Sequence, residues 1–93
     1  MSEAAVSRSV EIVNERGLHA RASAKFVKAA SLFDAEVEVS REGQTVDARS
    51  IMGLMMLAAG IGSVIEISAT GPQAQEALDA LVRLVSDRFD EER

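Results

Sequence analysis

The chain has 93 residues, with ten lysines and arginines against fifteen aspartates and glutamates, a net charge of −5 and an apolar fraction of 47%. This supplies one aliphatic core but not a second, so a single domain over residues 1–93 is expected, with its core at about 6–89. Cysteine is absent, which excludes disulfides, thiolate metal sites and a thiol nucleophile and fits a reducing, cytoplasmic setting. The acidic balance, with three phenylalanines as the only aromatics, argues against a nucleic-acid partner, which needs basic contacts and stacking surfaces.

In chain order, Met1 to Ala5 lacks the basic start and apolar run of a secretory leader. Val6 to Val13 alternates, with Val6, Val10 and Ile12 on one side and Ser7, Ser9 and Glu11 on the other, which predicts a strand with one wet face. Asn14-Glu15-Arg16-Gly17 breaks that pattern with turn residues. Ala20 to Leu32 then carries Ala24, Phe26, Val27 and Ala30 at helical spacing, so a helix begins at or just after His19. Glu36–Ser40 and Gln44–Ala48 alternate again on either side of Glu42-Gly43, and read as a hairpin. Ser50 suits the N-cap of a two-turn helix that Gly60 would stop.

Val64–Ala69 is a fourth strand. Gly71-Pro72 would open a last helix whose stripe runs through Ala74, Ala77, Leu78, Leu81, Leu84, Val85 and Phe89. Asp87, Asp90, Glu91 and Glu92 read as a solvated helix end or a frayed tail. The order βαββαβα predicts an α+β two-layer open-faced sandwich, a four-stranded antiparallel sheet with three helices on one face. No apolar run approaches the roughly 20 residues that span a bilayer, so no membrane insertion is expected.

His19 is the chain's single histidine, placed where a loop enters a helix, with Arg21 two residues on. Helix N-termini present unpartnered N–H groups and positive potential, which accommodate a phosphate. A neutral imidazole nitrogen is a good nucleophile near pH 7, and Arg21 could neutralise phosphoryl oxygens. The plainer reading is an exposed histidine at a helix cap, and the spacing alone leaves both open. Ser50 is similarly double: an N-cap needs no further role, yet a hydroxyl at a helix start can be phosphorylated without disrupting the fold. In the run from Ile51 to Leu57, Leu54 and Leu57 can point inward together, which leaves Ile51, Met52 and Met55 for an adaptable docking surface or a deeply buried helix. No cluster with metal-ligand spacing and no nucleotide-binding glycine loop is present. No cofactor is therefore expected, and a self-sufficient enzyme is disfavoured.

Gly17-Leu18-His19-Ala20-Arg21-Ala22-Ser23-Ala24 resembles the active-site motif of the HPr phosphocarriers of the bacterial phosphotransferase system. Ser50-Ile51-Met52-Gly53-Leu54-Met55 resembles that family's regulatory-serine segment, at a matching separation and on a matching element order. The resemblance covers residues 6 to 89. It implies that His19 is phosphorylated on Nδ1 by enzyme I from phosphoenolpyruvate and passes the group to enzyme IIA-type acceptors, with Arg21 beside it. It further implies that Ser50 is the target of HPr kinase/phosphorylase, and that Ile51, Met52 and Met55, with Ala24, Lys25 and Lys28 on the adjoining helix, meet partner proteins. A monomeric carrier for sugar uptake or a nitrogen-related relay follows; the alternative is a regulatory module acting mainly through its Ser50-phosphorylated form. Ala22 departs from the family's usual proline, which restores a backbone donor in the first turn.

Overall fold

Alternation makes the first strand. In the computed structural model, which describes residues 5–93, β1 (Val6–Glu11) turns Val6 and Val10 onto the core and leaves Ser7 and Ser9 exposed. The start of the chain, from which the lack of a leader is read, lies largely outside the described residues. The other elements are α1 (Ala20–Ala30), β2 (Glu36–Arg41), β3 (Gln44–Asp47), α2 (Ile51–Met56), β4 (Val64–Thr70) and α3 (Ala74–Ser86). A short turn of 3-10 helix follows at Arg88–Asp90.

The sheet runs β1-β4-β2-β3, with every neighbouring pair antiparallel. β4 is therefore inserted between β1 and β2, with Val10 opposite Ile65 and Val39 opposite Ile67. Side chains alternate, so Val37, Val39, Ile65, Ile67 and Ala69 enter the core while Glu36, Glu38 and Glu66 stay in water. The helices close the core from one side through Phe26, Leu54, Leu78, Leu81 and Val85. This is the open-faced α+β sandwich expected from the sequence.

Several boundaries differ from expectation, each for a local reason. β1 ends at Glu11, not Val13, because Ile12 leaves the ladder to pair with a loop: its N–H donates to Ser63 O and its carbonyl accepts from Gly62 N, each at 2.8 Å. The buried face of α1 is Ala22, Ser23, Phe26 and Ala30, and Ala24 is exposed. Ser23 can face inward because its hydroxyl donates to Leu18 O at 3.1 Å. α2 stops well before Gly60. Leu57 caps it, Ala58 takes the left-handed conformation at φ 52°, and Arg41 donates to Leu57 O at 3.0 Å.

At the last helix, Pro72 precedes the cap residue Gln73 and lies outside the helix. Phe89 does not continue the α3 stripe. Arg88, Phe89 and Asp90 all have positive φ (59°, 54° and 63°), so the chain reverses and swings the Phe89 ring into full burial. Left-handed backbone costs roughly 1–2 kcal/mol at such residues, and burying a phenylalanine returns about 1.5–3 kcal/mol. The turn therefore leans on the polar ties made by the residues around it, and those ties lie at His19.

Candidate functional site

The loop that delivers His19 is pinned at both ends. Gly17 has φ 65°, and a Cβ there would collide with the Ala59 carbonyl and lie 2.8 Å from Gly60 Cα. Leu18 N then donates to Ala59 O at 2.9 Å, with the Leu18 side chain buried. Asn14 braces the inside of the loop: fully buried, it donates from Nδ2 to Gly17 O at 2.9 Å.

His19 occupies the N-cap of α1 with extended backbone, and its carbonyl accepts from Ser23 N at 2.8 Å. Its side chain makes no capping hydrogen bond. The imidazole is thus not spent on the helix, contrary to the plainer reading. No acidic residue occupies the first turn of α1, so the positive end of the helix is uncompensated there by its own side chains.

The expected frayed tail is instead folded onto this histidine. His19 Nε2 lies 2.5 Å from Glu91 Oε2, and Glu91 Oε1 accepts from Asn14 Nδ2 at 3.1 Å. Lys25 Nζ donates to Phe89 O at 2.7 Å and Glu15 N to Arg93 O at 2.9 Å, fastening the segment on either side of Glu91. The His19 and Glu91 side chains are only 16% and 17% exposed. Burial pushes the Glu91 carboxyl up, but the hydrogen bonds from His19 and Asn14 outweigh it and hold the group below the usual carboxylate range.

These residues line an open cleft of about 560 Å³, with Glu15, Arg16, His19, Arg21 and Lys25 on one side and residues 90–93 on the other. Arg21 is exposed and makes no ion pair among the described residues. A second hollow of about 330 Å³ runs from His19 and Arg16 to Met55, Ala58 and Gly60. The histidine therefore lies between a charged cleft and the apolar surface of α2.

On α2, Leu54 and Leu57 are buried, while Ile51, Met52 and Met55 are 40%, 68% and 39% exposed, which removes the reading of a deeply buried helix. Met56, beside Met52 on the same helix, is exposed as well. Ser50 caps α2, with Oγ accepting from Gly53 N at 2.9 Å, and lines neither hollow. Ala24 and Lys28 are exposed on α1 outside the cleft, whereas Lys25 is half-buried and tied to Phe89. Asn14 and Glu91 join the site in the structure, although the sequence pattern marks the first only as a turn residue and the second only as part of an acidic tail. A buried asparagine at the exit of a strand has a local signal in the turn residues around it; nothing in Arg88-Phe89-Asp90 announces a reversal.

No group of three or more His, Asp or Glu side chains could hold a metal ion among the described residues, and no helix among them is long and apolar enough to cross a membrane.

Residues 6–87 match the family described as the PTS HPr component phosphorylation site. The phosphocarrier protein HPr of Cupriavidus necator is 54% identical over 86 residues, covering 92% of this chain and 97% of that protein. The phosphocarrier protein NPr of Shewanella violacea is 43% identical over 86 residues, covering 92% and 94%. In three dimensions, the crystal structure of an HPr from Thermoanaerobacter tengcongensis superposes with a TM-score of 0.90 at 42% identity, covering 95% of this chain and 99% of that one. With such identities along nearly its whole length, the chain belongs to the HPr family of phosphocarrier proteins.

Proposed function

We propose that His19 is the residue that carries the phosphoryl group, on Nδ1, between phosphorylated enzyme I and a histidine of an enzyme IIA-type acceptor. The observation that carries this reading is the state of the ring. It is unused by the helix it caps, engaged at Nε2, and without a hydrogen bond at Nδ1 among the described residues. The N-terminus of α1 supplies N–H groups without intrahelical acceptors, and Arg21 is an exposed guanidinium free to pair with phosphoryl oxygens. The neighbouring apolar surface of Ile51, Met52 and Met55 gives partners a place to dock beside the reacting nitrogen.

The protein acts as a stoichiometric carrier in the cytoplasm, a monomer serving sugar uptake or a nitrogen-related relay, with both phosphorylation chemistries supplied by partners. Ser50 is the control point, taken by HPr kinase/phosphorylase from ATP. Its half-buried Oγ already faces the first N–H groups of α2. A phosphate there would set negative charge at the edge of the apolar docking surface.

Incubation with enzyme I and labelled phosphoenolpyruvate should place one acid-labile label per chain, and none on His19→Ala. Equal labelling of the variant would remove the assignment. Incubation with the kinase and ATP should give an acid-stable label that Ser50→Ala abolishes.

A further inference from the structure

Asn14, Glu91 and His19 form a connected chain of polar side chains. The Asn14 amide spends its Nδ2 protons on Gly17 O and Glu91 Oε1, and its Oδ1 makes no hydrogen bond. Turned the other way, Oδ1 would face a carbonyl and a carboxylate, three acceptors with no proton between them, so the amide orientation follows from the network. The loop thereby fixes Asn14, and Asn14 fixes one oxygen of Glu91. The other oxygen meets His19 Nε2. A carboxylate only accepts, so Nε2 carries a proton, and in the neutral ring the lone pair is then on Nδ1.

We propose that Glu91, oriented by Asn14, is a positioning residue of the phosphoryl relay. It holds His19 in the Nε2–H form and provides the counter-charge when the ring is phosphorylated. The inference rests on the carrier reading above. In the loading step the Nδ1 lone pair forms a bond to phosphorus, and the donor's bond to phosphorus breaks, its electron pair returning to the donor. No proton moves. The ring, with phosphorus on Nδ1 and hydrogen on Nε2, becomes a delocalised cation facing the Glu91 carboxylate. In the unloading step the acceptor nitrogen bonds phosphorus, and the Nδ1–phosphorus bond breaks with its electron pair returned to Nδ1. Nε2 keeps its proton throughout. A fixed carboxylate on Nε2 favours the positive charge that develops on the ring as it is loaded, and in both steps it keeps Nδ1 aimed outward from the tail.

Two substitutions separate orientation from charge. Glu91→Gln keeps an acceptor oxygen and loses the charge; Glu91→Ala loses both. Ring-nitrogen NMR of the unphosphorylated full chain should show the Nε2–H form in wild type and Glu91→Gln, and a gain of the Nδ1–H form in Glu91→Ala. Transfer from enzyme I should lose about tenfold in kcat in both variants, the scale of one charge-assisted hydrogen bond, while KM for enzyme I changes by less than about twofold. An Ala variant with the wild-type ring signature, or a Gln variant with wild-type kcat, would overturn the proposal. The ring signature is read without any phosphoryl transfer, so its failure is distinct from that of the carrier reading, which falls if His19→Ala is labelled like wild type.

Discussion

At the residue scale, a carboxylate from the far end of the chain closes over the histidine of the candidate site. The Glu91 carboxyl titrates below its ordinary value of 4.5 because, despite burial, His19 and Asn14 both hydrogen-bond its charged form. A lowered folded-state pKa means that the carboxylate contributes stability above the ordinary value. That contribution shrinks as pH falls below 4.5 and is gone below the folded value. Acidification should therefore release the tail before the core melts. The reporter is the Glu15 amide, bonded to the Arg93 carbonyl: its hydrogen exchange should accelerate over that window in wild type and show no such step in Glu91→Ala. Gly17 is the other sensitive residue. Gly17→Ala adds a Cβ against the Ala59 carbonyl at a positive φ, and should lower stability by more than about 1 kcal/mol, measured by denaturant unfolding. Of the site residues, His19 and Arg21 were legible in the sequence because a helix start beside a glycine turn has a known electrostatic character. Glu91 was not, because its partner lies seventy-two positions away.

Elements read more easily than their ends. The four strands, α1 and α3 follow from alternation and helical spacing, since burial of one face is the term that selects both periods, whereas α2 is read from its serine cap and a glycine stop. The ends depend on tertiary contacts that no local pattern encodes. Ala58, not Gly60, takes the left-handed position after α2, where Arg41 from β2 donates to the Leu57 carbonyl. The stripe of α3 likewise points to Phe89 as a core residue, which it is, but by a chain reversal instead of another helical turn. At Ser50 local and tertiary signals agree: Oγ caps α2. Ser50→Ala should cost roughly 0.5–2 kcal/mol, visible as a lower denaturant midpoint with an unchanged slope, while acid-labile labelling of His19 persists. A variant that loses that label along with the cap would tie α2 to the chemistry itself.

Across the whole molecule, the sheet leaves one face to water and the helices place the loop that ends in His19 next to two different surfaces. One is the charged cleft closed by the tail; the other is the apolar patch of Ile51, Met52, Met55 and Met56, whose exposure the core does not require. Such a division suits a carrier that reacts at one atom and docks through a surface beside it. Met52, 68% exposed, should tolerate Met52→Glu with little loss of stability, within about 0.5 kcal/mol, while KM for enzyme I rises and kcat holds. The carrier chemistry proposed for His19 comes down to a single nitrogen. After phosphorylation by enzyme I and phosphoenolpyruvate, NMR of the His19 ring nitrogens tests it most directly. Phosphorus coupling at Nδ1, with Nε2 still bearing its proton, is expected; coupling at Nε2, or a phosphorylated chain whose His19 ring shows no phosphorus coupling, would overturn the assignment.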